Sequence, residues 1–149
     1  MARRNEGLIP LSQQHHRALV AGKSLRDAAR DPSDAGALRR AAEEFLAFWR
    51  EDGAAHFRRE EDLLLPFYGR WGEANDPRVV RMLVEHVELR TRVQQLEEAL
   101  AAGREPEAGF LADLGRRMSD HVRLEEDEVF PLIEATVPGE RLAELAPFF

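Results

Sequence analysis

The amino-acid sequence predicts an all-α protein: an antiparallel, up-down-up-down four-helix bundle with a short C-terminal helical tail. Long stretches are rich in Ala, Leu, Glu and Arg, which favour helix, and the 149 residues include only eight prolines. Apolar residues recur every three or four positions, and no strand-like alternation competes with that spacing. Short connections between long helices favour antiparallel neighbours. We expect residues 1–149 to form a single domain.

The first two helices are separated by a proline-containing break. Helical spacing predicts the first helix over 12–30, and residues 31–33 (Asp-Pro-Ser) end it. The second helix is predicted over 34–67 and stops at the glycine-containing segment 68–72. The inward stripe predicted for the second helix is Leu38, Phe45, Trp49, His56, Glu60, Leu63 and Phe67.

The third helix opens at Asp76-Pro77, an N-cap residue followed by proline at the first helical position, and closes at Gly103. The fourth is predicted over 105–135. Pro138-Gly139 then breaks the chain before an amphipathic tail over 140–145. The predicted inward residues of the third helix are Val79, Met82, Leu83, His86, Leu89, Val93, Leu96 and Leu100. Those of the fourth are Phe110, Leu114, His121, Leu124, Glu125 and Leu132.

Composition excludes several classes of function. The formal net charge of −7 argues against nucleic acid or an anionic membrane as the main partner. The chain has no cysteine, so disulfides, iron–sulfur clusters, thiolate zinc sites and cysteine nucleophiles are excluded. The first residues lack the apolar run of a signal peptide, and no segment reaches transmembrane length. We therefore expect a cytoplasmic protein.

One motif occurs twice. Residues 56–66 and 121–131 both read H-x-R-x-E-E-D-x-x-x-P. On a helix, the histidine and the glutamate four residues later lie on one face, one turn apart. His56 and Glu60 form one such pair, and His121 and Glu125 form the other. A single pair of this kind is usually a solvated ion pair, but two copies favour a metal site between facing helices.

Two more histidines lie on apolar stripes. His86 falls on the stripe of the third helix. On the first helix, His15 keeps a heptad spacing with the small and apolar residues Leu11, Ala18, Gly22, Leu25 and Ala29. We therefore expect His15 to face inward. His16 remains the alternative, because His16-x-x-Leu19 resembles His86-x-x-Leu89. Counting residues along each helix places the four histidines within ~3–5 Å of one height.

Four imidazoles and two carboxylates inside a bundle suit two divalent metal ions, and nitrogen and oxygen ligands suit iron, manganese or zinc. Burying these groups without a metal or partner would cost several kcal/mol. The predicted metal ligands are His15, His56, Glu60, His86, His121 and Glu125. Glu61 and Glu126 lie one position further round each helix, and we expect them to face water.

This set resembles the hemerythrin-like HHE cation-binding domain, from Leu11 to about Ile133. The resemblance extends to Glu85-His86-x-x-Leu89-Arg90 and Glu125-Glu126-x-x-x-Phe130-Pro131. It implies an antiparallel four-helix bundle with a non-haem di-iron centre. By this likeness, His15 and His56 serve one iron, His86 and His121 serve the other, and Glu60 and Glu125 bridge them.

The chain also departs from the oxygen-carrying hemerythrins. They have a second histidine on the third helix where this chain has Arg90, and His-x-x-x-x-Asp on the fourth helix in place of His121-x-x-x-Glu125. One imidazole fewer leaves an open or water-filled position, which fits a redox-active, sensing or iron-handling site better than reversible oxygen transport. Arg90 either orients a bound anion or peroxide or pairs with a carboxylate. Glu128 is expected on the inward stripe in a supporting role.

The expected function is binding of oxygen, nitric oxide or peroxide at two irons, in sensing, iron handling or redox protection. Zinc and manganese are alternative metals, and the apolar tail allows a homodimer. A second hypothesis is a di-iron peroxidase or nitric-oxide reductase, although Tyr68 lies off the ligand stripe and suits a radical relay poorly. A third is a metal-free helical interaction module that uses Trp71 and residues 147–149 as contacts.

Overall fold

The computed structural model describes residues 3–149, which are all-helical and contain no β-strand in that range. The expected all-α class is therefore confirmed. Within the described residues, no helix has both the length and the apolar composition that a membrane span requires. The helices are α1 (Ile9–Ala29), α2 (35–68), α3 (Pro77–Ala101), α4 (108–136) and α5 (Gly139–Ala143), followed by a 3₁₀ turn (Ala146–Phe148).

Local capping sets the helix ends close to the predicted positions. The carboxylate of Asp34 accepts a hydrogen bond from the first turn of α2, and that of Asp76 does the same for α3. Gly103 ends α3 with a φ of +74°, a conformation that glycine adopts without steric cost. Helix α1 starts earlier than expected, at Ile9, because Pro10 is compatible with the first helical turn.

Helix α1 packs most closely on α4, at a crossing made by two glycines. A Cβ atom added to Gly22 would lie 3.0 Å from the carbonyl oxygen of Gly115, and one added to Gly115 would overlap the carbonyl oxygen of Gly22. The two backbones are therefore in direct contact. His15 and His121 lie about two turns from this crossing, so it fixes the separation of the helices that carry them.

Two apolar cores lie on either side of the buried histidines. The first core, toward the end of α1 and the start of α2, is centred on Leu25, Leu38, Phe45, Leu96, Leu111 and Leu114. The second core, toward the start of α1 and the end of α2, is centred on Leu11, Leu64, Tyr68, Met82, Phe130 and Ile133. Leu83, expected to face inward, is 37% exposed because it lies about 100° around α3 from Met82.

Helices α2 and α4 each contain a wider π-helical turn that begins at the motif glutamate. The amide of Leu65 donates to the carbonyl of Glu60, and the amide of Phe130 donates to that of Glu125, five residues back in each case. The proline that ends each motif follows directly and has no amide to donate to the carbonyl four residues before it. The missing amide of the motif proline favours a wider turn at this position, and α2 has a further π-helical turn, Trp49–Gly53, that contains no proline.

Each π-helical turn adds one residue and rotates the rest of the helix. Leu63 and Glu128, both expected to face inward, are exposed, and their neighbours Leu64 and Val129 are buried instead. Tyr68 is also buried, and its hydroxyl donates to the carbonyl of Glu73 at 3.0 Å. The predicted inward stripes are therefore wrong at Leu63 and Glu128, because they assumed a regular α-helix, whereas Phe67 and Leu132 still pack against the second core.

The glycine crossing gives a test of the packing between α1 and α4. Gly115→Ala should lower the free energy of unfolding by about 1–3 kcal/mol, because the new methyl group overlaps the backbone of α1. Gly109→Ala on the same helix is the matched control, since its Cβ would have no neighbour within 4 Å. The control should be more stable than wild type by about 0.5–1 kcal/mol. Chemical denaturation measures both changes, and similar effects of the two substitutions would contradict the described crossing.

Candidate metal centre

All six predicted site residues converge between the four long helices. Helix α1 contributes His15, α3 contributes His86, and the two copies of the motif contribute a histidine and a glutamate each from α2 and α4. The six side chains are buried, and Glu60 and Glu125 are 0% exposed. His16, the alternative on the first helix, is exposed. The structure thus places His15, and not His16, in the cluster.

The six residues form two overlapping groups, each able to hold a metal ion. Each residue offers one ligand atom, and within each group these atoms all lie within 4.8 Å of one another. Ligands on opposite sides of one ion lie about 4 Å apart when each is ~2.1 Å from it, so the spacing is close to that of a metal site. One group is His15, His56, Glu60 and Glu125, and the other is Glu60, His86, His121 and Glu125.

The four Nε2 atoms point into the cluster. His15 Nε2 lies 2.8 Å from Glu125 Oε1 and 3.1 Å from His56 Nε2. His86 Nε2 lies 3.3 Å from an oxygen of each glutamate. Since both glutamates approach imidazoles of both groups, they are the shared members of the pair of sites.

A second layer of side chains orients the imidazoles. Each Nδ1 atom lies 2.5–3.0 Å from a carboxylate or amide oxygen, and these oxygens only accept hydrogen bonds. Nδ1 therefore carries the proton and donates, which leaves Nε2 as the atom that can bind a metal. The pairs are His15 with Glu126, His56 with Gln14, His86 with Glu61, and His121 with Glu85.

These outer contacts form a closed ring around the bundle. An acceptor on α1 serves the histidine of α2, one on α2 serves α3, one on α3 serves α4, and one on α4 serves α1. Each acceptor is also the sequence neighbour of a cluster residue, as Gln14 is of His15 and Glu61 is of Glu60. Every long helix therefore supplies one inner histidine and one outer acceptor to the next helix.

The prediction that Glu61 and Glu126 face water is wrong. Both are half-buried and accept hydrogen bonds from His86 and His15, because a position 100° away from the inner glutamate faces the neighbouring helix rather than solvent. Arg90 pairs with both oxygens of Glu61, at 2.8 and 3.0 Å. Of the two roles considered for Arg90, the structure shows pairing with a carboxylate.

Three buried polar atoms in the cluster have no hydrogen-bond partner among the described residues. They are both carboxylate oxygens of Glu60 and Nε2 of His121. His121 Nε2 lies 2.8 Å from Glu125 Oε2, but the contact lacks the geometry of a hydrogen bond. Buried polar atoms without partners are rare and costly, and a bound cation would satisfy all three. The donor set therefore fits a metal ion.

The buried carboxylates strongly favour protonated imidazoles when no metal is bound. Burial lowers the pKa of His15, but hydrogen bonds to Glu125 and Glu126 outweigh burial and raise the pKa to about 9. Burial also lowers the pKa of His56 and of His121. In both residues the neighbouring glutamates outweigh burial and raise the pKa to about 9. Protonated Nε2 atoms would have to release their protons to a metal, so metal binding is coupled to proton release.

Of the four imidazoles, His86 has the most strongly raised pKa. Burial opposes the positive charge on His86, but hydrogen bonds to Glu125 and Glu61, together with the nearby carboxylate of Glu60, raise its pKa to about 11. The hydrogen bond from His86, with help from Arg90, holds the pKa of Glu61 at about 2. Burial disfavours the charge of Glu125, but His121 and the other imidazoles hold its pKa well below the usual range.

A narrow cleft reaches the cluster between α1, α2 and α4. Its walls are mainly apolar, and His15, His56, His121 and Glu125 line it together with Ala18, Phe48, Phe57, Met118 and Val122. The ring of Phe57, which lines the cleft, is also stacked on His86, with 3.8 Å between the ring centroids. The cleft thus contacts three of the four histidines but not His86, which Phe57 covers.

Comparison with known proteins agrees with this geometry. The family model for the hemerythrin HHE cation binding domain matches residues 9–133. The chain belongs to this family. No curated protein and no solved structure matched the chain. The resemblance drawn from the motifs is confirmed, and a cation-binding hemerythrin domain accounts for a His/Glu cluster of this kind.

The raised pKa values give a pH test for the hemerythrin domain freed of metal by a chelator. His15, His56 and His121 bind protons more tightly in the folded chain (pKa about 9) than in the unfolded chain (about 6.5). Their stabilising effect is fully present below pH 6.5 and is lost as the pH rises through 9. Chemical denaturation at intervals across this range should show the free energy of unfolding falling. A free energy that rose or stayed constant would contradict the assigned contacts.

Proposed function

We propose that this hemerythrin-like domain holds two iron ions in a non-haem di-iron centre and binds oxygen, nitric oxide or peroxide there, in sensing, iron handling or redox protection. The observation that carries the proposal is the pair of four-residue groups that share Glu60 and Glu125. Membership of a cation-binding family supports it independently. In this proposal, His15 and His56 serve one iron, and His86 and His121 serve the other.

The ligand chemistry favours iron, with zinc or manganese as alternatives. Imidazole and carboxylate ligands suit all three metals, and the chain has no cysteine to offer softer ligands. When bound, iron would supply a change of oxidation state and an open position for a small ligand. The residues of the chain would orient the Nε2 atoms, balance the metal charge with two carboxylates, and limit the access of water.

The cleft supports small ligands as the binding partners. Its apolar walls lead to three of the four histidines, and its narrowness suits a diatomic molecule or peroxide better than a larger substrate. We propose ligand binding rather than peroxidase or reductase chemistry, because the two polar side chains considered for a role in such chemistry, Arg90 and Tyr68, already have hydrogen-bond partners in the protein. Arg90 is held by Glu61, and the hydroxyl of Tyr68 donates to the backbone of Glu73.

We also propose the full topology for residues 1–149: a single domain in which the four long helices run up, down, up and down. The two cores support this arrangement. The second core contains residues near the start of α1, the end of α2, the start of α3 and the end of α4 (Leu11, Leu64, Met82 and Phe130). These ends meet in one core when consecutive helices are antiparallel.

Metal analysis combined with an optical spectrum tests the di-iron proposal. The purified protein should contain about two irons per chain, because two groups of ligands are present. Near-ultraviolet absorption should rise when the reduced protein is exposed to air. The double variant His56→Ala/His121→Ala should bind no iron, since it removes one histidine from each group. His16→Ala is the matched control and should keep the wild-type iron content, because His16 is exposed.

The other outcomes distinguish the alternatives. About two zinc or manganese ions per chain, with iron not taken up, would contradict the metal identity and retain the site. A colourless protein that takes up no ferrous iron under anaerobic conditions would contradict the site itself. The metal-free interaction module would then lead, provided that the double variant kept the thermal stability of the wild type.

A further inference from the structure

The outer acceptor of His15 is held by an arginine from the segment that precedes α1. Arg4 donates through Nη2 to a carboxylate oxygen of Glu126 at 2.9 Å and to its backbone carbonyl at 2.8 Å. Its other nitrogen, Nη1, donates to Glu134 at 2.7 Å. The remaining carboxylate oxygen of Glu126 accepts from His15 Nδ1 at 3.0 Å. Arg4 thus fixes the side chain that orients a cluster histidine.

The segment that carries Arg4 is itself anchored to the end of the chain. The backbone amide of Asn5 donates to Glu134 at 2.6 Å, and its side-chain amide donates to the carbonyl of Gly139 at 3.1 Å. Gly7 packs directly on the backbone of Leu142, where a Cβ atom would overlap the carbonyl oxygen. These contacts give Arg4 a defined position. The segment lies outside residues 9–133, the range that the family model matches.

The half of the cluster that contains His86 has the same arrangement of arginine, glutamate and histidine as the half that contains His15. Arg90 donates to both oxygens of Glu61, and Glu61 accepts from His86 Nδ1 at 2.5 Å. The guanidinium of Arg90 lies 5.5 Å from the centroid of the Phe57 ring, which stacks on His86. In the first half, the guanidinium of Arg4 lies 5.5 Å from the Phe130 ring, which stacks on His15.

The other two histidines have weaker support of this kind. Arg59 approaches Gln14, the acceptor of His56, only at 3.4 Å. Arg81 contacts Glu85, the acceptor of His121, at 3.2 Å, but its side chain is 58% exposed. A charge-assisted contact of Arg with two or more oxygens fixes a carboxylate more firmly than a single exposed contact does. Arg4 and Arg90 are therefore the arginines that fix the outer acceptors of the cluster histidines most firmly.

We propose that Arg4 and Arg90 are positioning residues for the two metal sites, one for His15 and one for His86. Each guanidinium holds a glutamate, and that glutamate keeps the proton of its histidine on Nδ1 and aims Nε2 into the cluster. The inference rests on the proposed metal function. It also makes the segment before α1 part of the site, although that segment contributes no ligand.

The test uses the full chain and compares Arg4→Gln, Arg90→Gln, Arg4→Lys and the control Arg39→Gln. Arg39 forms an exposed ion pair with Glu105, and it lies 17 residues before His56 on α2, about 25 Å along the helix. Each protein, freed of metal, is titrated with Co²⁺, whose ligand-field spectrum reports binding. In the Zn²⁺-loaded proteins, NMR follows solvent exchange of the Nδ1 protons of His15 and His86.

We expect wild type and Arg39→Gln to bind two Co²⁺ ions with the same affinities. In Arg4→Gln, one of the two ions should bind about 10–100-fold more weakly, the usual effect of removing an outer-layer partner. The Nδ1 proton of His15, and not that of His86, should exchange faster. Arg90→Gln should show the opposite pattern. Arg4→Lys should lie between wild type and Arg4→Gln, because lysine keeps the charge but not the forked geometry.

The results separate this inference from the proposed function. A wild-type protein that binds no Co²⁺ would contradict the metal site. If wild type binds two ions and Arg4→Gln matches it in affinity and in His15 exchange, only the positioning role is contradicted. Equal acceleration of both Nδ1 protons in Arg4→Gln would also overturn it, because a general loss of stability acts on both halves. Should Arg4→Gln fail to fold, Arg4→Lys supplies the same comparison.

Discussion

Two glutamates with no access to water lie at the centre of this bundle, and their charge constrains the side chains around them. A buried carboxylate is tolerated only when it is paired and hydrogen-bonded or bound to a metal. Here the compensating groups are four imidazoles, and each of these needs a partner for its second nitrogen. The partners come from the next helix in turn, so the need to neutralise Glu60 and Glu125 ties all four long helices into one ring of contacts.

Simple helical arithmetic was enough to predict which residues meet. The spacing of four residues puts His56 and Glu60 on one face, and the heptad register of α1 favours His15 over its neighbour His16; the structure buries the first and exposes the second. The outer layer could not be predicted in the same way. Glu61 lies at the edge of a helical stripe, and whether an edge meets solvent or another helix depends on which helices are neighbours and how closely they approach.

The register beyond the glutamates could not be predicted from a regular helix either. A period of 3.6 residues assigns Leu63 and Glu128 to the core, and the π-helical turns transfer that place to Leu64 and Val129. A signal for the change was present in both copies of the motif, since a proline inside a helix removes a backbone donor. A proline six residues after a buried glutamate is therefore a sequence feature that indicates a shifted helical register.

The polar cluster also separates the first core from the second, and this arrangement bears on how the protein unfolds. Each core is continuous within itself, and the layer between them holds charged groups rather than interlocking apolar side chains. Cooperative unfolding of a small domain requires that its parts lose structure together. A metal that joined ligands from all four helices would link the two cores through this layer. The bound ions would then couple the unfolding of the two cores, and metal occupancy would decide whether the chain melts in one transition or in two.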